Sequence, residues 1–200
     1  MDTTSFLGPS RNLAAALAIA FVAAPMTLLP APTCTYGAEI PVAAEKNPPG
    51  DIPDSQAFID YASSLGFTMK VPEGWARKDM GDGASFVDKL DGIVLTVTPA
   101  KTKPDLSWAK TTYVDELQKS HRAAKIGSVK AVKLPSGEAI RIAYTSNSDP
   151  NPVTNNQVRL ENERYLFYRD GRLVTLELYA PEGADNVDQW QLMSRSFAWK

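Results

Sequence analysis

Cysteine and histidine are almost missing from this chain of 200 residues, with one of each, Cys34 and His121. One cysteine excludes an internal disulfide, and one histidine excludes the usual His-rich metal sites. A surplus of one charge is missing too. The formal net charge is -2, without the basic excess of nucleic-acid binders, so no nucleic-acid partner is expected. Long apolar runs are scarce: residues 13–29 carry no charge, but Pro25 interrupts them and the run is slightly short for a membrane span. There is also no internal repeat, no coiled-coil heptad and no spacing that marks a catalytic triad.

The composition that remains, 44% hydrophobic and 22% charged, is that of an ordinary globular protein. Residues 1–44 have the layout of a secretory signal peptide and its cleavage region. Arg11 precedes the apolar run, and small residues follow around Ala38 and at Val42-Ala43-Ala44. The mature chain is expected to start between Glu39 and Glu45, which implies a periplasmic or otherwise extracytoplasmic protein, lumenal in a photosynthetic source. The competing reading is an uncleaved membrane anchor. Cys34 follows Ala31-Pro32-Thr33 rather than a Leu-Ala-Gly-like sequence, so it is expected to leave with the signal rather than carry a lipid. Residues 45–55 are rich in Pro, Gly and charge and read as a flexible linker with nothing to bury. Residues 56–200 form the one expected domain.

Within that domain the patterning is that of hairpins. Asp170-Gly171 between the apolar runs 165–169 and 172–179 predicts a type I′ turn, which needs positive φ at both central residues. A second hairpin is predicted from 84–90 and 93–98, joined at Asp91-Gly92. Residues 126–134, 138–145 and 157–169 read as further strands. A helix is predicted over 105–121, where Leu106, Ala109, Tyr113 and Leu117 make one apolar stripe. Another is capped by Asp185 and carries Val187, Trp190 and Met193. Hairpin-linked strands with two helices predict an α+β fold, an antiparallel sheet covered by helices.

Phe58-x-x-Tyr61, Gly66-Phe67 and Pro72-x-Gly74-Trp75 resemble the start of PsbP-like domains. The hairpin from Tyr165 to Tyr179, Trp190 in a last helix and Ser196-Phe197 resemble their end. The resemblance spans residues 56–200 and implies the Mog/PsbP α/β/α sandwich of the extrinsic lumenal photosystem II subunit and its exported bacterial relatives. It further implies a non-enzymatic accessory or assembly role outside the cytoplasm, toward a protein or cell-envelope partner. The chain departs from the photosystem subunit in having a linker where that protein has its N-terminal extension, and His121 as its only histidine.

His121 continues the helical stripe and suits a helix C-terminus, whose dipole favours a partly cationic ring. Ser120 beside it is expected to point elsewhere, as helical neighbours do. Asp79, Asp82 and Asp88 lack the ligand order of a calcium loop and read as turn residues; Asp185 and Asp188 read as helix N-terminal charges. Neither a cofactor nor a metal is expected. The polar loop 147–156 holds two prolines and four asparagines, and long polar loops on rigid sheets often carry recognition. Asn147, Asp149, Asn151 and Asn155 with Arg159, Arg169 and Arg172 are therefore the candidate partner-binding residues. On the strand, Arg159, Glu161, Glu163 and Tyr165 should share one face and Arg164 the other. The alternative class is an extracytoplasmic hydrolase or metal-dependent enzyme using surface carboxylates.

Overall fold

The computed structural model describes residues 39–200; the apolar run, Cys34 and most of the expected signal peptide lie outside the described residues. A seven-stranded antiparallel sheet is ordered β3-β4-β5-β9-β8-β7-β6, from β3 (Ala76–Met80), β4 (Gly83–Asp88), β5 (Asp91–Pro99), β6 (Lys125–Leu134), β7 (Gly137–Asn147), β8 (Arg159–Arg169) and β9 (Arg172–Pro181). Beside it, β1 (Phe58–Ala62) and β10 (Ala198–Trp199) flank β2 (Phe67–Pro72) in a three-stranded sheet. The α+β antiparallel architecture expected from the sequence is present.

One face of the large sheet packs Ile140, Ile142, Tyr144, Leu166 and Leu173 against a helical run over 106–120. That run comprises α1 (Leu106–Trp108), a π-helical stretch (Ala109–Tyr113) and α2 (Val114–Ser120). Residues spaced by four, such as Ala109, Tyr113 and Leu117, drift by about 40° per step on an α-helix. The wider π turn absorbs part of that drift, and Ala109 and Leu117 both end up buried. Asp105 caps the run, accepting the Trp108 N–H at 2.7 Å. The opposite face, with Leu95, Phe167, Val174, Leu176 and Leu178, is covered by the small sheet and α3 (Val187–Ser196). Phe197 joins these layers, stacked 4.0 Å from Phe167 and 5.4 Å from Phe67 between ring centroids.

Asp170 and Gly171 make the expected turn, with φ 49° and 75°. The Asp91-Gly92 turn does not form. Lys89 and Leu90 turn the chain there, with Lys89 at φ 53°, and Asp91-Gly92 lies inside the pairing, with Val87 opposite Gly92. The glycine is required for another reason: it faces Tyr179, and a Cβ on it would meet the Tyr179 ring at 2.1 Å. Strand β3 had no signature in the sequence because none of its residues is buried, so it shows no apolar alternation. Asp185 does not cap α3, and Val187 is 62% exposed while Trp190 and Met193 are buried.

Asn186, the residue at the N-cap position, instead fixes the chain upstream of β1. Its side-chain amide accepts the Ile52 N–H at 2.6 Å and donates to the Gly50 carbonyl at 2.8 Å. Ile52 is only 4% exposed, so the stretch read as having nothing to bury does bury this side chain. Asp91 is buried under the same stretch, its Oδ1 without a hydrogen-bond partner. Burial, reinforced by Asp88 and Asp51 and opposed by Lys89, raises its carboxyl to about 7.

Two outcomes are expected. Trp190→Ala empties a large aromatic site and lowers stability by about 3–5 kcal/mol, read from denaturant midpoints. A carboxyl whose folded pKa is raised is a source of stability below its unfolded value, lost as pH rises toward the folded one. Asp91→Asn removes that loss, so its melting temperature gains on the wild type by more at pH 8 than at pH 5. An equal shift at both would show that Asp91 is ionised in the fold throughout.

Candidate functional site

The turn at 170–171 fixes the register of β8 and β9. Arg169 faces Arg172, and five residues further in Arg164 faces Glu177. Both side chains are 12% exposed and form an ion pair on the helix face of the sheet. Tyr144, from β7, donates its hydroxyl to the same carboxylate. Tyr113, from the helical run, lies with its hydroxyl 3.3 Å from Arg164 Nη1. Burial alone would raise the Glu177 carboxyl; the His121 hydrogen bond, the charges of Arg164 and His121 and the Tyr144 hydroxyl outweigh it and bring it down to about 2. The same burial, with the negative charge of Glu177 beside it, pushes the Tyr144 phenol up.

His121 ends the helix. Its backbone turns to φ −119°, ψ 140°, which swings the ring back against the cluster. Nδ1 sits 3.1 Å from the Leu117 carbonyl and 2.9 Å from Ser120 Oγ, so these neighbours meet, contrary to the expectation from helical geometry. Nε2 lies 3.1 Å from Arg164 Nη2 and 3.6 Å from Glu177 Oε1. The Ser120 hydroxyl also donates to the Leu117 carbonyl at 3.1 Å. Ser120, His121 and Glu177 thus join a helix terminus to a buried ion pair.

Beside the cluster opens a cleft of about 480 Å³, lined by Lys89, His121, Arg122, Asn147, Asp149, Asn162 and Tyr179 among others. The candidate binding residues divide around it. Asn147 and Asp149 line the cleft, and Asp149 accepts from Arg122 Nε at 3.2 Å. Asn151 accepts the Val153 and Thr154 N–H groups in an Asx-type turn, and Asn155 adopts φ 57°. Arg159 is no solvated arginine: it is 4% exposed and bonds the Ala123 carbonyl, Asn147 and Thr145. Arg169 and Arg172 lie at the far end of the hairpin, where Arg172 reaches the Leu65 carbonyl at 3.0 Å and the Trp199 ring. These two do not share a surface with the loop 147–156.

The residues missed from sequence are Glu177, Tyr144, Asn162 and Glu39. For Glu177 a signal existed, since the predicted turn already places it opposite Arg164. Removing one partner of a buried pair strands the other charge, at a cost of about 3–5 kcal/mol, and Glu177→Gln is expected to lose that much at pH 7. A depressed carboxyl contributes stability above its unfolded range and loses it as pH falls through the folded value. The gap in melting temperature between wild type and Glu177→Gln should therefore close as pH is lowered from about 5 toward 2; a constant gap would mean the pair is not what stabilises the cluster.

No protein-family model matches the chain, and no curated protein matches its sequence. Among solved structures it is similar to cyanobacterial PsbP from Synechocystis sp. PCC 6803, with 15% identity, a TM-score of 0.52, and coverage of 76% of this chain and 99% of that one. It is also similar to the Ran-binding protein Mog1p of Saccharomyces cerevisiae, with 13% identity, a TM-score of 0.51, and coverage of 72% and 96%. At such identities the likeness speaks for backbone architecture. The chain has the antiparallel α+β fold shared by PsbP and Mog1p.

Proposed function

We propose that this protein is an exported binding or assembly module that holds a protein or cell-envelope partner and carries out no chemistry on it. The observation that carries this reading is the cleft itself. The buried charge in its wall, Glu177, is already paired to Arg164, and its histidine lies against that pair. Its rim is polar, formed by Arg122, Asn147, Ser148 and Asp149. Such a surface is suited to recognition. The fold adds support, because Mog1p is a Ran-binding protein. The export part of the proposal rests on the layout of residues 1–44; no helix among the described residues is long and apolar enough to cross a membrane.

The loop 147–156 is the recognition element of this reading, with one restriction. Asn147 and Ser148 are part of the fold's hydrogen bonding, through Arg159 and Val158, so a test must spare them. Deleting residues 150–155 shortens an exposed turn at little thermodynamic cost. In affinity capture from the envelope fraction, this variant is expected to recover the partner at least fivefold less well than the intact chain, with a melting temperature within about 2 °C of it. Undiminished capture would move the recognition surface elsewhere, and turnover of an envelope substrate that is lost in His121→Ala would replace the reading with an enzymatic one.

A further inference from the structure

Residues 39–42 lie against the rim of the cleft as a peptide lies in a receptor. The Glu39 carboxylate accepts from Arg122 Nη1 at 2.7 Å on one oxygen, and from Asn147 Nδ2 at 3.2 Å and the Gln157 amide on the other. Asn147 also reads the backbone, donating to the Ile40 carbonyl at 3.0 Å and accepting the Val42 N–H at 3.1 Å. Two main-chain groups two residues apart are thus bonded by one side-chain amide, independently of the side chains they carry. Ile40 is 82% exposed, so its side chain is not read.

This arrangement is held in place from below. Asn147 is 5% exposed, and its Oδ1 also accepts from buried Arg159 Nη1 at 2.9 Å. That donor fixes the amide's orientation, so Nδ2 must face the carboxylate and the Ile40 carbonyl. Arg159 is itself bonded to the Ala123 carbonyl and Thr145. Burial alone would raise the Glu39 carboxyl, but hydrogen bonds from Gln157, Asn147 and Arg122 and the Arg122 charge lower it, so the site favours the ionised form. Preorganised donors of this kind cost little to order on binding.

We propose that Arg122, Asn147 and Gln157 form a receptor for one acidic side chain on an extended peptide, filled in the full-length chain by its own residues 39–42 and available to a partner's acidic segment when they leave, whether by release or by export cleavage beyond Val42. This deepens the binding reading above and rests on it. It names the partner's chemistry: a Glu or Asp followed by a residue whose side chain is free to vary, with the backbone extended. Because the segment is tethered, its effective concentration is of millimolar order, and a free peptide competes poorly until the tether is weakened.

The test uses the full chain with Glu39→Ala and Val42→Pro together, which removes the carboxylate and the N–H that Asn147 accepts. The probe is acetyl-Glu-Ile-Pro-Val-Ala-amide, whose only carboxylate is the side chain, against the same peptide with Gln in place of Glu. The Glu peptide is expected to bind the variant at least tenfold more tightly than it binds the wild type. The Gln peptide, and the Glu peptide with Arg122→Gln added, should each lose at least tenfold. Equal binding to variant and wild type, or none to either, overturns the receptor. If the double variant folds poorly, Glu39→Gln alone decides: Val42 amide exchange must rise at least fivefold, and unchanged exchange overturns the proposal. A chain that captures a partner yet binds neither peptide sinks the receptor and leaves the binding module standing. Peptide binding without any captured partner supports the receptor and counts against the module.

Discussion

A two-residue turn admits one pairing register, and in this protein that register sets two opposite charges side by side beneath a helix. Slipping the β8–β9 pairing by a single residue would exchange the two faces of a strand. If β8 moved, Arg164 would enter the aromatic layer around Phe167 and Tyr165 would turn to the helix face; if β9 moved, Glu177 and Leu176 would exchange faces in the same way. The ion pair is therefore compatible with one alignment of the sheet only. Its net contribution to stability over an apolar substitute is small, because desolvation offsets most of the attraction. What it enforces is which alignment survives.

A second polar anchor does the same at the loop end of the sheet. Arg159 and Asn147 face one another across β7 and β8 and are bonded side chain to side chain. This pair is shared between the fold and the cleft rim. Any partner that contacts Asn147 meets a side chain that the fold already holds, so recognition there needs little rearrangement. The same economy explains why the loop 147–156 cannot be treated as one unit. Its first two residues belong to the sheet's bonding, and its tip is a self-contained turn.

The sequence made most of the fold legible wherever burial is periodic. The strands of β7, β8 and β9, the helical run over 106–120 and the turn at Asp170-Gly171 all show alternation or a stripe. It failed where a residue serves a neighbour distant along the chain. Gly92 looked like a turn residue because nothing local announces Tyr179 across the sheet. Asn186 looked like the residue after a cap, and Ile52 like part of a linker, because each is explained only by the other. The candidate site was half visible. Asn147 and Asp149, grouped by the loop, both line the cleft, while Arg159 was grouped with them as a binding residue because its partners at Ala123 and Thr145 come from elsewhere. Arg169 and Arg172 were grouped with the loop by proximity along the chain, which a hairpin converts into separation by its whole length.

The polar strand β3 and its counterpart β6 are the two outermost strands of the large sheet, and neither contains a buried residue. β3 presents Arg77, Lys78 and Asp79, while β6 presents Lys125, Lys130 and Lys133 and is broken by an irregularity between Ile126 and Ser128. Charges and bulges at sheet margins discourage a foreign strand from adding there. Growth of the large sheet by edge-to-edge association is thereby opposed on both sides, whether the incoming strand belongs to another copy or to a partner. A partner of the kind proposed above would be met at the ends of the strands, where side chains and loops converge, rather than along an open ladder of amides.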